Sequence, residues 1–137
     1  VNLLAHPLNL VTDNSQIEKD LKFYEKVMSP SGPAMGSAIL SILYNRLGDA
    51  KKSADVFAYS YKRNEVPPFG VISEAAGGTN PYFATGAGGM LQAVLSGFGG
   101  LNFSKDGIIQ NESSIPASWK ELIITGIGRN EKTFKVK

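Results

Sequence analysis

Pro81-Tyr82-Phe83-Ala84-Thr85-Gly86-Ala87-Gly88-Gly89-Met90-Leu91-Gln92-Ala93-Val94-Leu95 decides how the rest of the chain is read. The small residues Gly86 to Gly89 open a segment in which Met90, Leu91, Val94, Leu95 and Phe98 recur at helical spacing. An amphipathic helix is expected there, with those large side chains on its buried face and its end at Gly97 to Gly100. Its start exposes unpaired backbone N–H groups and the positive end of the helix dipole. Glycines at that point let another molecule come close to the backbone, because no Cβ stands in the way. Glu74 lies a short loop upstream. A carboxylate near such a helix start suits hydrolysis or group transfer.

Working outward toward the start of the chain, the helical period repeats three times. Ile17, Leu21, Tyr24 and Met28 share one face, with Asp13, Asn14 and Ser15 available as caps. The break Ser29-Pro30-Ser31-Gly32-Pro33 ends that helix and starts the next, Pro33 suiting a first helical turn. Met35, Ala38, Ile39, Ile42, Leu43 and Leu47 form the second face. Gly48 is a natural C-terminal cap, and Asp49 can cap a third helix carrying Ala54, Phe57, Ala58 and Tyr61. So short a connection makes the second and third helices antiparallel neighbours. Residues 62–83 lack helical periodicity and contain Pro67-Pro68, Gly70, Gly77-Gly78 and the turn-forming Asn80-Pro81. They read as a long irregular loop, of the kind that commonly carries function.

Beyond Gly100 the period changes to two. Leu101 and Phe103 lead to an Asp106-Gly107 turn and then Ile108 and Ile109. Leu122 and Ile124 are followed by a turn-like Gly126 to Asn130 and by Phe134 and Val136. A small antiparallel sheet attached to a helical part is expected. The fold class is therefore mainly α with a small β part.

The length of 137 residues suits one ordinary domain or a piece of a larger protein, and a chain starting at Val1 inside an apolar stretch reads as the latter. Apolar residues at 42% against charged residues at 19% support a packed core and argue against disorder. Fourteen scattered basic residues against twelve acidic ones, a formal charge of +2, suggest neither a nucleic-acid nor a membrane surface. With no cysteine, disulfides, thiol catalysis and cysteine-ligated metal are excluded. The compartment stays open, a bacterial periplasmic or extracellular setting being compatible. A lone His6 without acidic partners makes a metal site improbable and reads as structural, while Lys51-Lys52 reads as a solvated helix face.

The segment from Glu74 through Gly89, continuing by Gln92-Ala93-Val94-Leu95 to Gly97-Phe98-Gly99-Gly100-Leu101, resembles the C-terminal part of glycoside hydrolase family 65. The likeness extends to Ser31-Gly32-Pro33-Ala34-Met35, to Arg46-Leu47-Gly48-Asp49-Ala50, and to Ile115-Pro116 and Trp119 ahead of the last strands. It covers nearly the whole chain in order. That family takes in disaccharide phosphorylases, acid trehalases and related α-glucosidases. The resemblance implies the terminal helical hairpins of an (α/α) barrel over residues 1–100 and a C-terminal antiparallel β-sheet domain over 101–137. It also implies inversion at the anomeric centre of an α-linked glucose disaccharide or oligosaccharide, without a cofactor. A barrel glutamic acid protonates the leaving oxygen, and either phosphate or a carboxylate-activated water attacks. Phosphorylases of the family place a histidine just before the small residues, and here the only histidine is His6. The segment is thus similar to the trehalose- or kojibiose-cleaving hydrolases.

On that resemblance Glu74 is the candidate general base; spacing alone would leave it an ordinary solvated loop carboxylate. Thr85, Gly86, Ala87 and Gly88 are candidates for binding a sugar hydroxyl or the attacking water through backbone N–H groups, close helix packing being the alternative. Phe69 can stack on a sugar ring, as can Tyr82 and Phe83, although aromatics mainly fill cores. Asn80 can bond a sugar hydroxyl or simply form its turn. The general acid is expected in a preceding barrel segment of the same protein, so these residues alone should be catalytically silent. A disaccharide phosphorylase piece and a non-catalytic carbohydrate-binding or helical module are the rival readings. Exposed barrel-wall helices would favour homo-oligomers.

Overall fold

A computed structural model describes residues 1–80 and 82–137; Pro81, read above as half of a turn with Asn80, lies outside them. The chain is mainly helical with small antiparallel ladders. A short α1 (Asn2–Ala5) precedes α2 (Asn14–Val27), α3 (Ala34–Arg46) and α4 (Ala50–Tyr59). The caps follow the sequence. Asp13 accepts the Ser15 N–H at the start of α2, and Asp49 accepts the Lys52 N–H at 2.9 Å at the start of α4. Gly48 reverses the chain at φ +84°, a conformation that glycine adopts without Cβ strain.

The centre of the molecule is α3. Ala38, Ile39, Leu40, Ile42 and Leu43 are buried around most of its circumference, against Ile17 and Leu21 of α2, Val56 of α4 and Ala93. The antiparallel return of α4 is stitched by two buried serines equidistant from the turn. Ser41 Oγ donates to the Ser53 carbonyl and Ser53 Oγ to the Ser41 carbonyl, each at 2.9 Å. Of the residues expected on α4, Phe57 packs against the core and Tyr61 lies beyond the helix end; the buried positions are Ser53 and Val56, so a hydroxyl and an apolar group together meet α3.

The segment read as irregular contains a minimal hairpin, β1 (Glu65–Val66) paired antiparallel with β2 (Val71–Ile72). Then come α5 (Ala84–Gln92) and a π-helical segment, Ala93–Phe98. Here the expected buried face is corrected. Of the five large side chains assigned to it only Phe98 is buried, whereas Leu91 is 58% exposed. Small residues make the contact instead. A Cβ on Gly86 would stand 3.1 Å from Ala34 Cβ, one on Gly89 3.2 Å from Ala38 Cβ, and one on Gly97 3.4 Å from Ile42 Cα. Contacts that rise together along both helices make α3 and α5 parallel, with their N-termini side by side.

The β part consists of separate hairpins rather than one sheet. β3 (Leu101–Ser104) pairs with β4 (Gly107–Gln110), and β5 (Leu122–Ile127) with β6 (Lys132–Val136). They are tied to the helices by Asn45, whose side chain exchanges two hydrogen bonds with the Ser114 backbone. Phe98 adds an aromatic row, with Phe57 at 5.3 Å on one side and Trp119 at 5.1 Å on the other. Among the described residues no helix is long and apolar enough to cross a membrane.

Candidate functional site

The loop carrying Glu74 is fixed at both of its flanks. On one side Ile72 accepts the Phe83 N–H at 2.8 Å, and its Cγ2 packs where a Cβ on Gly86 would stand, 2.9 Å away. This brings the segment of Glu74 to the start of α5. On the other side the Ala76 N–H reaches the Ser31 carbonyl at 3.3 Å, which brings the same segment to the link leading into α3. Two parallel helix N-termini, each the positive end of a helix dipole, therefore lie beside the loop that carries Glu74.

Glu74 itself is exposed, and Asn80 Nδ2 donates to its Oε2 at 3.3 Å. Its main chain is held more firmly. Asn64, fully buried, donates from Nδ2 to the carbonyls of Ser73 at 3.2 Å and Glu74 at 3.1 Å. Ser73 returns its N–H at 2.8 Å and its hydroxyl at 3.0 Å to the Asn64 carbonyl. Gly78 lets this turn close, since a Cβ there would lie 2.9 Å from the Ala75 carbonyl oxygen and 3.1 Å from Asn80 Oδ1. Neither Asn64 nor the role of Ser73 was legible beforehand. A polar residue just past a helix end carries no sign of whether it turns inward.

The candidate binding residues divide. Glu74 and Asn80 are brought together, and Thr85, Ala87 and Gly88 stand on the accessible side of α5, Gly88 with no heavy atom within 4 Å of where its Cβ would be. Gly86 faces the other way, buried beneath Ile72 and Ala34. Phe69 is 84% exposed at the tip of the β1–β2 hairpin. An apolar groove of about 380 Å³ runs between hairpin and helix, lined by Val71, Ile72, Tyr82, Phe83, Ala87 and Met90. Glu74 does not line it. Tyr82, at the groove's edge, holds a left-handed backbone at φ +64°, uncommon for an aromatic residue.

His6 sits elsewhere, buried beside a cavity of about 330 Å³ between α3, the π-helical segment and β3. Burial lowers its pKa, the hydrogen bond with Gln92 opposes this, and the Arg46 charge lowers it further. Arg46 in turn donates to the Ala5 carbonyl at 3.0 Å, so this cluster fastens α1 to α3. Among the described residues no three His, Cys, Asp or Glu side chains are grouped to hold a metal ion. Lys51 pairs with Asp55 on the solvated face, but Lys52 reaches across to Glu25 of α2 at 2.6 Å.

No family model matches the chain. It is similar to a kojibiose hydrolase of Mucilaginibacter mallensis, 52% identical over 138 residues, taking in 100% of this chain and 20% of that protein. It is also similar to a kojibiose hydrolase of Flavobacterium johnsoniae, 56% identical over 135 residues, 97% of this chain and 20% of that protein. A protein-glucosylgalactosylhydroxylysine glucosidase of Danio rerio is 38% identical over 107 residues, 77% of this chain and 16% of that protein. The chain thus spans about a fifth of the length of the curated relatives it matches.

Proposed function

We propose that the protein carrying this chain is an inverting α-glucoside hydrolase of glycoside hydrolase family 65, and that the chain supplies its general base, Glu74. The observation that carries this reading is the identity of 52–56% to two proteins named kojibiose hydrolase, spread over essentially the whole chain. A kojibiose-like α-linked glucose disaccharide, or an oligosaccharide ending in one, is the substrate class. The parallel pair α3 and α5 with α4 returning antiparallel supports a place for residues 1–100 in the wall of an (α/α) barrel. Residues 101–137 then form the C-terminal β-sheet domain.

In this mechanism an ionised Glu74 takes a proton from water as the oxygen attacks the anomeric carbon. A second carboxyl group, on a preceding barrel segment, gives its proton to the departing sugar oxygen. The two carboxyls stand about 6.5–9.5 Å apart, which leaves room for the water, and the product is β-glucose. An exposed Glu74 is compatible with this, because the opposing wall and the acid belong to other parts of the protein. Thr85, exposed at the start of α5, offers its hydroxyl to the water or a sugar hydroxyl, whereas the N–H groups of Gly86 and Ala87 are already given to the Phe83 carbonyl. Residues 1–137 without that acid should not turn over.

The test is Glu74→Gln in the complete protein. Turnover of kojibiose should fall by about 10³-fold or more, since a positioned base contributes about 10²–10⁴-fold, with the thermal transition retained. Activity within about tenfold of the parent removes Glu74 from the base position. Glucose 1-phosphate formation that depends on added phosphate would replace hydrolysis by phosphorolysis, and β-glucose as first product, read by NMR, supports inversion.

A further inference from the structure

We propose that Asn64 is a positioning residue for the Glu74 carboxylate, an inference that rests on Glu74 being the base. Asn64 is polar yet 0% exposed, and its own N–H is anchored to the Tyr61 carbonyl at 2.9 Å, in the turn that follows α4. Three hydrogen bonds join it to the residues around Glu74, and a fourth is shared. Asn64 Nδ2 donates to the carbonyls of Ser73 and Glu74, and the Ser73 N–H donates to the Asn64 carbonyl. The single Ser73 hydroxyl proton lies between two acceptors, the Ala75 carbonyl at 2.7 Å and the Asn64 carbonyl at 3.0 Å. The backbone from Ser73 to Ala75 is thereby held.

The orientation of the Asn64 amide is dictated by those carbonyls, which only its nitrogen can satisfy. The consequence is an amide oxygen left buried without a hydrogen-bond partner among the described residues. Such an orphan acceptor costs about 1–3 kcal/mol and requires an explanation. What offsets it is the pair of main-chain acceptors that the same amide satisfies, the carbonyls of Ser73 and Glu74, which an apolar side chain of similar size would leave unpaired. The Glu74 side chain is exposed and has one long contact with Asn80, so the backbone at 73–75 decides where its carboxylate points. The Asn64 amide sets that backbone against the turn that follows α4.

The experiment uses the complete protein with kojibiose as substrate and four changes: Asn64→Asp, Ser73→Ala, Glu74→Gln and the double variant Asn64→Asp with Glu74→Gln. Asn64→Asp keeps shape and removes the donor. It should lower kcat about 10- to 100-fold, the scale of a displacement of about 1 Å. KM should stay within about threefold, because substrate is not touched. Ser73→Ala, which deletes one hydroxyl, should lower kcat by about 3- to 10-fold and decides the matter if Asn64→Asp fails to fold. Adding Asn64→Asp to Glu74→Gln should cost less than about twofold more, since both act through one group. If Glu74→Gln is inactive while Asn64→Asp and Ser73→Ala keep kcat within about twofold of the parent, the positioning role is wrong and the base stands. Full additivity in the double variant overturns it as well. An active Glu74→Gln removes the base itself, and this inference with it.

Discussion

Adding one methyl group to Gly86, and in a second variant to Gly88, should move the stability of α5 in opposite directions. Alanine favours a helix interior over glycine by about 1 kcal/mol, somewhat less near an end. At Gly88 nothing lies within 4 Å of the new Cβ, so the gain of about 0.5–1 kcal/mol is realised in full. At Gly86 the new Cβ meets Ile72 Cγ2 at 2.9 Å and Ala34 Cβ at 3.1 Å. Neither is the free end of a flexible side chain, so overpacking costs about 1–3 kcal/mol and the net change is a loss of about 1 kcal/mol. Amide hydrogen exchange along α5 in the complete protein reads this locally. Gly88→Ala should slow exchange by about three- to fivefold, and Gly86→Ala should speed it by about fivefold. Equal slowing in both variants would refute the claim that α5 lies on α3 through its small residues.

Two further outcomes follow from the packing. Phe98→Ala removes the middle of the aromatic row and should destabilise the chain by about 3–5 kcal/mol; because Trp119 is the single tryptophan, its fluorescence should shift to the red in the folded variant. His6 has a folded pKa below the ordinary 6.5, so the unfolded chain takes up a proton that the native one resists. Its contribution is complete above about pH 6.5 and is lost as pH falls through the folded value, with a slope of at most about 1.4 kcal/mol per pH unit. His6→Gln should flatten that part of the melting profile.

The helices announced themselves because their ends and their periods agree. Asp13, Gly48 and Asp49 are caps whose geometry follows from side-chain chemistry alone, and Ile17, Leu21, Ile39 and Leu43 repeat with the turn. The β3–β4 hairpin was equally plain, although its turn is Lys105-Asp106 and Gly107 already pairs with Ser104. The wrong face of α5 has a physical cause. Periodicity arguments weigh large apolar side chains, whereas this helix approaches α3 through Gly86, Gly89, Ala93 and Gly97, and close approach needs small residues. The same blindness to small polar packing hid Ser53 of α4, which meets Ser41. At the site, the candidate base came from the sequence by resemblance and Asn80 from its own amide chemistry, and the two do touch. Asn64 did not, because its importance lies in two main-chain carbonyls, and a sequence does not display where those point.

Where α5 passes into the π-helical segment, the Gly99 N–H bonds to Val94, five residues back. This stretch therefore holds one residue more than an ordinary helix would need to cover the same turn. Ala93 must stay small, since it is fully buried in the core against α3. The surplus residue carries the opposite freedom: removing one beyond Ala93 would let an ordinary helix cover the same turn, and Phe98 would keep its place between Phe57 and Trp119. The segment thus stores an insertion that the aromatic row beside it never feels.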